Sequence, residues 1–190
     1  MTTQHKDAFW VFGYGSLMWR PGFEFEEAQP ATLRGFIRSF CVYSHYYRGT
    51  PSKPGLVLGL DPHENEECRG VAFRVAEKHK EAVIAYLTER ELCGYAYKAE
   101  THSLTLDCGT EVQAYTFVAD PEHALYAGDI GLDKAAGLIM EAEGNTGLNR
   151  DYLINSVREL EAHGYNDEHL HELLKKVEYL TGVIEAGAGI

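Results

Sequence analysis

The order of the secondary-structure signals is the feature that most constrains the fold of this chain. Short apolar segments separated by turn residues fill the first part of the sequence, whereas the last third carries apolar residues at spacings of three and four. A doubly wound parallel sheet would need strands and helices in regular alternation, and that alternation is missing. Strands first and helices later favour an α+β fold, and many short strands with glycine bends favour a small curved or closed sheet.

These patterns predict the bounds of the individual elements. Asp61–Glu67 is predicted to be a turn between two strands, and Asp107–Thr110 is predicted to be a hairpin turn. We expect one domain over residues 1–190, with flexible ends at 1–7 and 186–190. Strands are expected at 8–13, in parts of 31–48, and at 56–61, 68–75, 95–106 and 111–118, and helices at 77–90, 134–143, 151–162 and 168–180.

The charge of the chain restricts its partners. The 190 residues carry a net charge of −12, which argues against nucleic acid and anionic membranes because both require a basic surface. The first 60 residues hold six Lys and Arg against four Asp and Glu, a net charge of +2, and the remainder holds 11 against 25, a net charge of −14. An anionic small molecule is therefore expected to bind near the N-terminal third. The basic residues there are Arg20, Arg34, Arg38, Arg48 and Lys53.

The cysteines indicate a reducing compartment. Cys41, Cys68, Cys93 and Cys108 form neither a CxxC pair nor a zinc-binding spacing, so we interpret them as reduced thiols of a cytoplasmic protein. The N-terminal residues lack the charged and apolar regions of a secretion signal, and no apolar stretch is long enough to span a bilayer. The spacing of these cysteines predicts no metal site, and the sequence gives no indication of an oligomeric state.

A glycine loop follows the first predicted strand and is the first candidate for a binding site. Gly13-Tyr14-Gly15-Ser16-Leu17 lets backbone N–H groups approach a bound group closely, because glycine has no Cβ. A bulge or a tight turn is the structural alternative, since glycine in strand surroundings usually marks a bend. Dinucleotide binding is disfavoured because Met18 occupies the position of the third glycine in the fingerprint.

Glu91 is the candidate for proton transfer. It lies at the end of a predicted helix in Thr88-Glu-Arg-Glu-Leu-Cys-Gly-Tyr95, where burial beside an aromatic residue would raise the pKa of its carboxyl group and make it a usable base and acid near neutral pH. A solvated carboxylate at a helix end is the alternative, and Glu89 is the competing residue. Cys41 with His45 is a weaker candidate for a nucleophile, since a buried cysteine packs as a small apolar residue.

Several segments together resemble one family. FGYGSLMWRPGF at 12–23, RGTPSKPG at 48–55, CRGVAFRV at 68–75, TERELCGY at 88–95 and GLNRDYL at 147–153 are similar to the ChaC-like γ-glutamylcyclotransferases. The resemblance extends from about Phe9 to the last predicted helix. It implies an α+β fold with a small mixed β-barrel and surrounding helices, and an enzyme without a cofactor that cleaves glutathione to 5-oxoproline and Cys-Gly.

The resemblance also implies roles for individual residues. Tyr14, Gly15, Ser16 and Leu17 would bind the γ-glutamyl group, and Glu91, next to Arg90, would be the catalytic glutamate. Arg48 is our first candidate for binding the carboxylates of glutathione, with Arg20 and Arg38 after it. Cys93 stands where many members of the family have glycine, which leaves the substrate range open. The alternatives are a cyclotransferase for other γ-glutamyl amines or amino acids, and a non-catalytic module that binds a metabolite.

Overall fold

Five β-strands close into a mixed barrel in this protein. The structure, a computed structural model, describes residues 8–92 and 96–182. Around the barrel the strands follow the order β1, β3, β2, β4, β5. β1 pairs antiparallel with β3 and parallel with β5, so the barrel is mixed, as the resemblance implied. The strands are β1 (Phe9–Gly13), β2 (Glu27–Ser44), β3 (Gly55–Val75), β4 (Tyr97–Leu106) and β5 (Glu111–Ala119).

One predicted turn is wrong. Asp61–Glu67 lies inside the continuous strand β3, which replaces the two predicted strands at 56–61 and 68–75. Most residues of this segment are exposed, and Glu67 lies 3.9 Å from the Arg34 side chain of β2. Antiparallel strands tolerate polar residues where their side chains face water, so a polar composition did not distinguish a solvated strand from a turn. The predicted hairpin turn Asp107–Thr110 is confirmed between β4 and β5.

The described residues contain the four predicted α-helices. The first follows a short 3₁₀ turn at Glu77–His79, so the predicted helix at 77–90 is displaced by a few residues toward its C-terminus. Together with the barrel, these helices confirm the α+β class. The helices are α1 (Lys80–Leu92), α2 (Leu132–Glu141), α3 (Asn149–Ala162) and α4 (Glu168–Leu180).

The described residues form two compact units. The first contains residues up to Arg38 and Gly59–Asp120, and the second contains Ser39–Leu58 and the residues from Pro121 onward. The single domain over 1–190 stays a prediction. Residues 1–7 and 186–190, for which flexible ends were expected, lie outside the described residues.

The core of the first unit explains where α1 lies. Trp10 and Phe12 alternate along β1 and share one buried cluster with Tyr14 of the glycine loop, while Val11 belongs to a second cluster on the other face of the strand. This period of two is what a strand buried on both faces requires. The second cluster also contains Leu17 of the glycine loop and Val83 and Leu87 of α1, so apolar packing places the loop beside α1. Its members are Val11, Leu17, Val75, Val83, Leu87 and Phe117.

In the second unit a buried amide joins α3 to the start of β3. The side chain of Asn149 accepts a hydrogen bond from the N–H of Leu56 (2.8 Å) and donates one to the Leu56 carbonyl (2.7 Å). A Cβ at Gly55 would lie 2.7 Å from the same amide oxygen, so this approach requires glycine. Two of the segments that carry the family resemblance, 48–55 and 147–153, therefore meet here. Within the described residues, no helix is both long and apolar enough to cross a membrane.

Candidate active site

The glycine loop ends in a 3₁₀ turn over Ser16–Met18. The N–H of Met18 donates to the carbonyl of Gly15 (2.9 Å), and the N–H of Arg20 donates to the carbonyl of Ser16 (2.8 Å). The N–H groups of Ser16 and Leu17 precede the first of these bonds and so have no acceptor within the turn. Such groups at the start of a turn are the type of donor that stabilises an anion.

Close packing explains the glycine at the start of this loop. A Cβ on Gly13 would lie 2.9 Å from the Cβ of Leu17, so a larger residue would push the 3₁₀ turn away from β1. A Cβ on Gly70 of β3 would lie 2.3 Å from the Gly13 carbonyl oxygen. Neither Gly13 nor Gly15 has a positive φ. Gly13 therefore permits close packing of the loop against Leu17 and β3 without a left-handed backbone, and the approach of loop N–H groups to a bound group stays a prediction.

Arg38 holds the loop to β2. Its side chain is buried, and its Nε donates to the carbonyl of Tyr14. Its Nη2 donates to the carbonyl of Arg69 and lies 3.8 Å from the Sδ atom of Met18. The guanidinium of Arg38 thus fixes the backbone on which Tyr14 lies.

Glu91 is the penultimate residue of α1 and is largely withdrawn from solvent. Its side chain is 20% exposed. Burial raises the pKa of its carboxyl group, and the neighbouring charge of Arg90 opposes that rise in part. A raised pKa brings a carboxyl group closer to neutrality, where it both accepts and donates protons efficiently. Glu89, the competing residue of the sequence, has an exposed side chain.

Arg90 connects Glu91 to the glycine loop. Its Nε lies 3.2 Å from Oε1 of Glu91, and its Nη2 donates to Oγ of Ser16 at 3.0 Å. Its Nη1 donates to the backbone carbonyls of Arg20 (2.7 Å) and Pro21 (3.2 Å). The structure therefore brings Ser16 and Glu91 to two nitrogen atoms of one guanidinium, although 75 positions of sequence separate them.

The other residues named from the sequence have different surroundings. Arg48 belongs to the second unit, where its Nη1 donates to the Leu148 carbonyl (3.2 Å) and its Cζ lies 5.4 Å from the centre of the Tyr152 ring. The side chain of Arg20 is exposed. Cys93, for which an effect on substrate range was considered, lies outside the described residues.

The structure adds no support for a nucleophile formed by Cys41 and His45 or for a metal site. Cys41 is buried, whereas His45 is exposed. Over residues 8–92 and 96–182, no group of three or more His, Cys, Asp or Glu side chains is placed to hold a metal ion. Glu91 and the glycine loop remain the candidate site.

Comparison with known proteins identifies the family. The family model described as ChaC-like protein matches residues 9–180. The chain belongs to the ChaC-like family. A relative from Escherichia coli K12, a glutathione-specific gamma-glutamylcyclotransferase, is 39% identical over 171 residues, which cover 90% of this chain and 73% of that protein. A human relative, glutathione-specific gamma-glutamylcyclotransferase 1, is 32% identical over 175 residues, which cover 90% of this chain and 78% of that protein.

A solved structure supports the ChaC-like fold independently. The crystal structure of a yeast gamma-glutamylcyclotransferase specific to glutathione superposes with a TM-score of 0.80. The match covers 92% of this chain and 99% of the yeast chain, at 22% sequence identity. At that identity the likeness establishes the fold, including the barrel predicted from the resemblance.

Tyr86 on α1 adds to the candidate site a residue that was not named from the sequence. It is 37% exposed, and its hydroxyl accepts a hydrogen bond from Arg90 (3.1 Å). A Cβ on Gly22 would lie only 2.1 Å from the same hydroxyl. The spacing of Tyr86 and Arg90, four positions apart on one helix, was the available signal, because such residues share a helix face.

Proposed function

We propose that this ChaC-like protein is a glutathione-specific γ-glutamylcyclotransferase that releases 5-oxoproline and Cys-Gly. The observation that carries the proposal is the buried Glu91 carboxyl group, with its raised pKa, joined through Arg90 to the glycine loop. The relatives from Escherichia coli and human, whose names state this activity, support the same substrate. The chain is accordingly an enzyme whose partner is a small molecule.

Intramolecular cyclisation explains why one carboxyl group suffices. In glutathione the α-amino nitrogen and the γ-carbonyl carbon belong to the same residue, and tethered reactions of this type reach effective molarities of about 10⁵ M or more. The nitrogen attacks the carbonyl carbon to form a five-membered lactam, and the bond from that carbon to the cysteinyl nitrogen breaks. The protein therefore supplies no nucleophile.

Glu91 moves the protons in this proposal. The attacking nitrogen changes from an ammonium to a lactam N–H and loses two protons, while the departing nitrogen changes from an amide N–H to an ammonium and gains two. Glu91 first accepts one proton from the ammonium as a general base and then donates that proton to the departing amine as a general acid. The second proton of the attacking nitrogen passes to water, and the departing amine takes its second proton from water, so that the protons balance. Its raised pKa suits a group that must serve in both forms.

The glycine loop stabilises the transition state. Negative charge develops on the γ-carbonyl oxygen during attack, and we assign its stabilisation to the N–H groups of the loop, those of Ser16 and Leu17 first. Each such donor contributes about 3 to 4 kcal/mol in other enzymes. Tyr14 and Gly15 complete the part of the loop that binds the γ-glutamyl group.

A product assay tests the proposal. Purified protein is incubated with glutathione, and 5-oxoproline and Cys-Gly are measured by mass spectrometry; we expect both in equal amounts. γ-Glutamyl-alanine is the control substrate, for which we expect no release of 5-oxoproline. Equal turnover of both compounds would indicate a broader γ-glutamyl cyclotransferase. Binding without turnover of either compound would indicate a metabolite-binding module.

The cysteines and the net charge of the chain indicate where the enzyme acts. We infer a cytoplasmic enzyme because glutathione is abundant where thiols stay reduced, and the four cysteines of the sequence form neither a CxxC pair nor a zinc-binding spacing. The net charge of −12 favours neither nucleic acid nor an anionic membrane as a partner. Fractionation of the source cells, followed by immunodetection of the protein, tests this location.

A further inference from the structure

We propose that Arg90 is a positioning residue of the active site, whose guanidinium fixes residues 16–22 against α1 and holds the Glu91 carboxylate in register with the glycine loop. This inference rests on the proposed function, because it assigns Arg90 a part in the reaction of that site. Arg90 itself touches no reacting atom in this account. It acts through Glu91 and through the loop.

The contacts of Arg90 form a clamp with five partners, namely Ser16, Arg20, Pro21, Tyr86 and Glu91. Its Nη2 donates to Oγ of Ser16, and its Nη1 donates to the carbonyls of Arg20 and Pro21, all within residues 16–22. The same Nη1 donates to the Tyr86 hydroxyl one turn earlier on α1, and Nε faces Oε1 of Glu91. A planar guanidinium can serve such diverging acceptors at once, whereas an ammonium is a point charge on a flexible stem.

Tyr86, on the same helix as Arg90, also holds residues 16–22 in place. Its hydroxyl accepts from Arg90 and occupies the space where a Cβ of Gly22 would be, so the loop lies directly on the ring of Tyr86. Gly22 has a φ of +76°, a conformation that favours glycine. Steric contact and hydrogen bonds thus hold both the start and the end of residues 16–22 against the same face of α1.

Arg90 also supplies charge to Glu91. Its positive charge stabilises the carboxylate and lowers the pKa of Glu91, against the larger effect of burial. Among residues 8–92 and 96–182, the other ionisable residues beside Arg90 are Glu89 on the helix, Tyr86 one turn earlier and Arg20, whose carbonyl accepts from Arg90. Within the described residues, Arg90 is the group whose charge shifts the pKa of Glu91. Loss of Arg90 therefore affects the geometry of the site and the ionisation of Glu91 separately.

Two substitutions separate these effects. Arg90→Met removes both the charge and the hydrogen bonds, whereas Arg90→Lys keeps the charge and loses the planar clamp. We expect Arg90→Met to lower kcat about 10- to 100-fold, the usual effect of displacing catalytic groups by about 1 Å, and to move the acidic limb of the kcat/KM profile to higher pH. We expect Arg90→Lys to lower kcat while the acidic limb stays close to that of the wild type.

Arg74→Met is the matched control. Arg74 lies in the same unit and its side chain is 27% exposed, against 23% for Arg90. It also pairs with carboxylates, those of Glu26 (3.3 Å) and Glu27 (2.9 Å). We expect Arg74→Met to alter stability without moving the pH profile, so any shift specific to the Arg90 variants reports on the active site.

The deciding experiment follows the Glu91 carboxyl group directly. In protein with ¹³C-labelled glutamate, the side-chain carboxyl resonance of Glu91 is assigned by its loss in Glu91→Gln and titrated by NMR in the wild type and in the three variants. We expect a titration at higher pH in Arg90→Met alone. An unmoved titration in Arg90→Met, or an unchanged kcat in both Arg90 variants, would overturn the inference even in an active enzyme.

Failure of the proposed function has a different signature, namely no release of 5-oxoproline by the wild-type protein whatever the titration shows. Circular dichroism checks that each variant is folded. If Arg90→Met does not fold, Tyr86→Phe serves instead, since it removes one acceptor of the clamp and keeps the charge. We expect it to lower kcat about 2- to 10-fold, the effect of one hydrogen bond, without moving the Glu91 titration. An unchanged kcat in Tyr86→Phe would then contradict the inference.

Discussion

Gly22 connects backbone conformation to the position of the loop. It combines a φ of +76° with the close contact to the Tyr86 hydroxyl, so a side chain there is opposed by the backbone and by its neighbour. Gly35 offers a comparison within the same unit, because its φ is +84° but a Cβ there would meet nothing within 4 Å. Comparing substitutions at the two positions therefore separates the cost of a left-handed backbone from the cost of steric contact.

We expect Gly35→Ala to lower the free energy of unfolding by about 1 kcal/mol or slightly more, the cost of a left-handed conformation for alanine. Gly22→Ala should cost more than Gly35→Ala and should also lower kcat, because Tyr86 and the loop must move apart. Urea unfolding measures the first effect and 5-oxoproline release the second. In a Tyr86→Ala background the excess cost at Gly22 should disappear. Equal costs at the two glycines would contradict this account.

The predicted role of Arg48 in substrate binding can be tested by a single substitution. If it binds a carboxylate of glutathione, Arg48→Ala should raise KM for glutathione at least about tenfold, the loss expected for a hydrogen bond to a charged group. An unchanged KM would leave Arg48 with the contacts that the structure gives it, to the Leu148 carbonyl and the Tyr152 ring. Steady-state kinetics with glutathione, supported by a thermal unfolding control, distinguish these results.

At the scale of elements, Asn149 determines how α3 joins the start of β3. Its fully buried amide satisfies both the N–H and the carbonyl of Leu56. We expect Asn149→Ala to lower the free energy of unfolding by at least about 2 kcal/mol, because it leaves two buried backbone groups without these partners. Asn145→Ala is the control, since Asn145 is exposed and its side-chain Nδ2 donates to the Tyr46 hydroxyl (3.2 Å). A smaller cost at Asn149 than at Asn145 would contradict the assignment.

The contact of α3 with α4 predicts a dependence of stability on pH. A hydrogen bond from Nε2 of His171 on α4 to the Glu161 carboxylate on α3 (2.6 Å) raises the pKa of His171, assisted by the Asp167 carbonyl. A raised pKa in the folded state means that the stabilising contribution is complete below the unfolded value of about 6.5 and is lost as pH rises through the folded value.

His171→Gln should therefore destabilise the protein most at acidic pH and progressively less as the pH rises. Urea unfolding of both proteins at a series of pH values from about 5 to 9 measures this difference. The histidine is partly exposed, so a modest effect is expected. A difference that grows toward alkaline pH would contradict the proposed origin of the pKa shift.

At the scale of the whole molecule, the sequence predicted the secondary-structure elements more completely than it predicted the contacts between them. Period-two and period-3.6 patterns located the strands and helices, because burial on one face imposes those periods. The patterns did not reveal that Asp61–Glu67 continues as a strand, since its side chains face solvent and their polarity is equally typical of a turn. The strand pattern favoured a curved or closed sheet without deciding between the two, and the barrel itself came from the family resemblance, because closure depends on pairings between strands that are distant in sequence.

The sequence predicted the separate parts of the candidate site, but not the contact of Arg90 that joins them. Glu91 and the loop at residues 14–17 were named from the sequence, each beside a plausible structural alternative. That Arg90 joins Ser16 to Glu91 depends on a contact across more than 70 positions, which no local pattern encodes. The segment that follows Glu91, residues 93–95, lies outside the described residues, and the influence of Cys93 on substrate range stays a prediction.

The release of 5-oxoproline by Glu91→Gln tests the central claim most directly. Glu89→Gln is the matched control, two positions earlier on the same helix with an exposed side chain. We predict that the wild type and Glu89→Gln convert glutathione to equal amounts of 5-oxoproline and Cys-Gly, and that Glu91→Gln folds normally but loses about 10²- to 10⁴-fold in rate or more, as expected for removal of a general base and acid. Turnover by Glu91→Gln at the rate of the wild type would contradict the account.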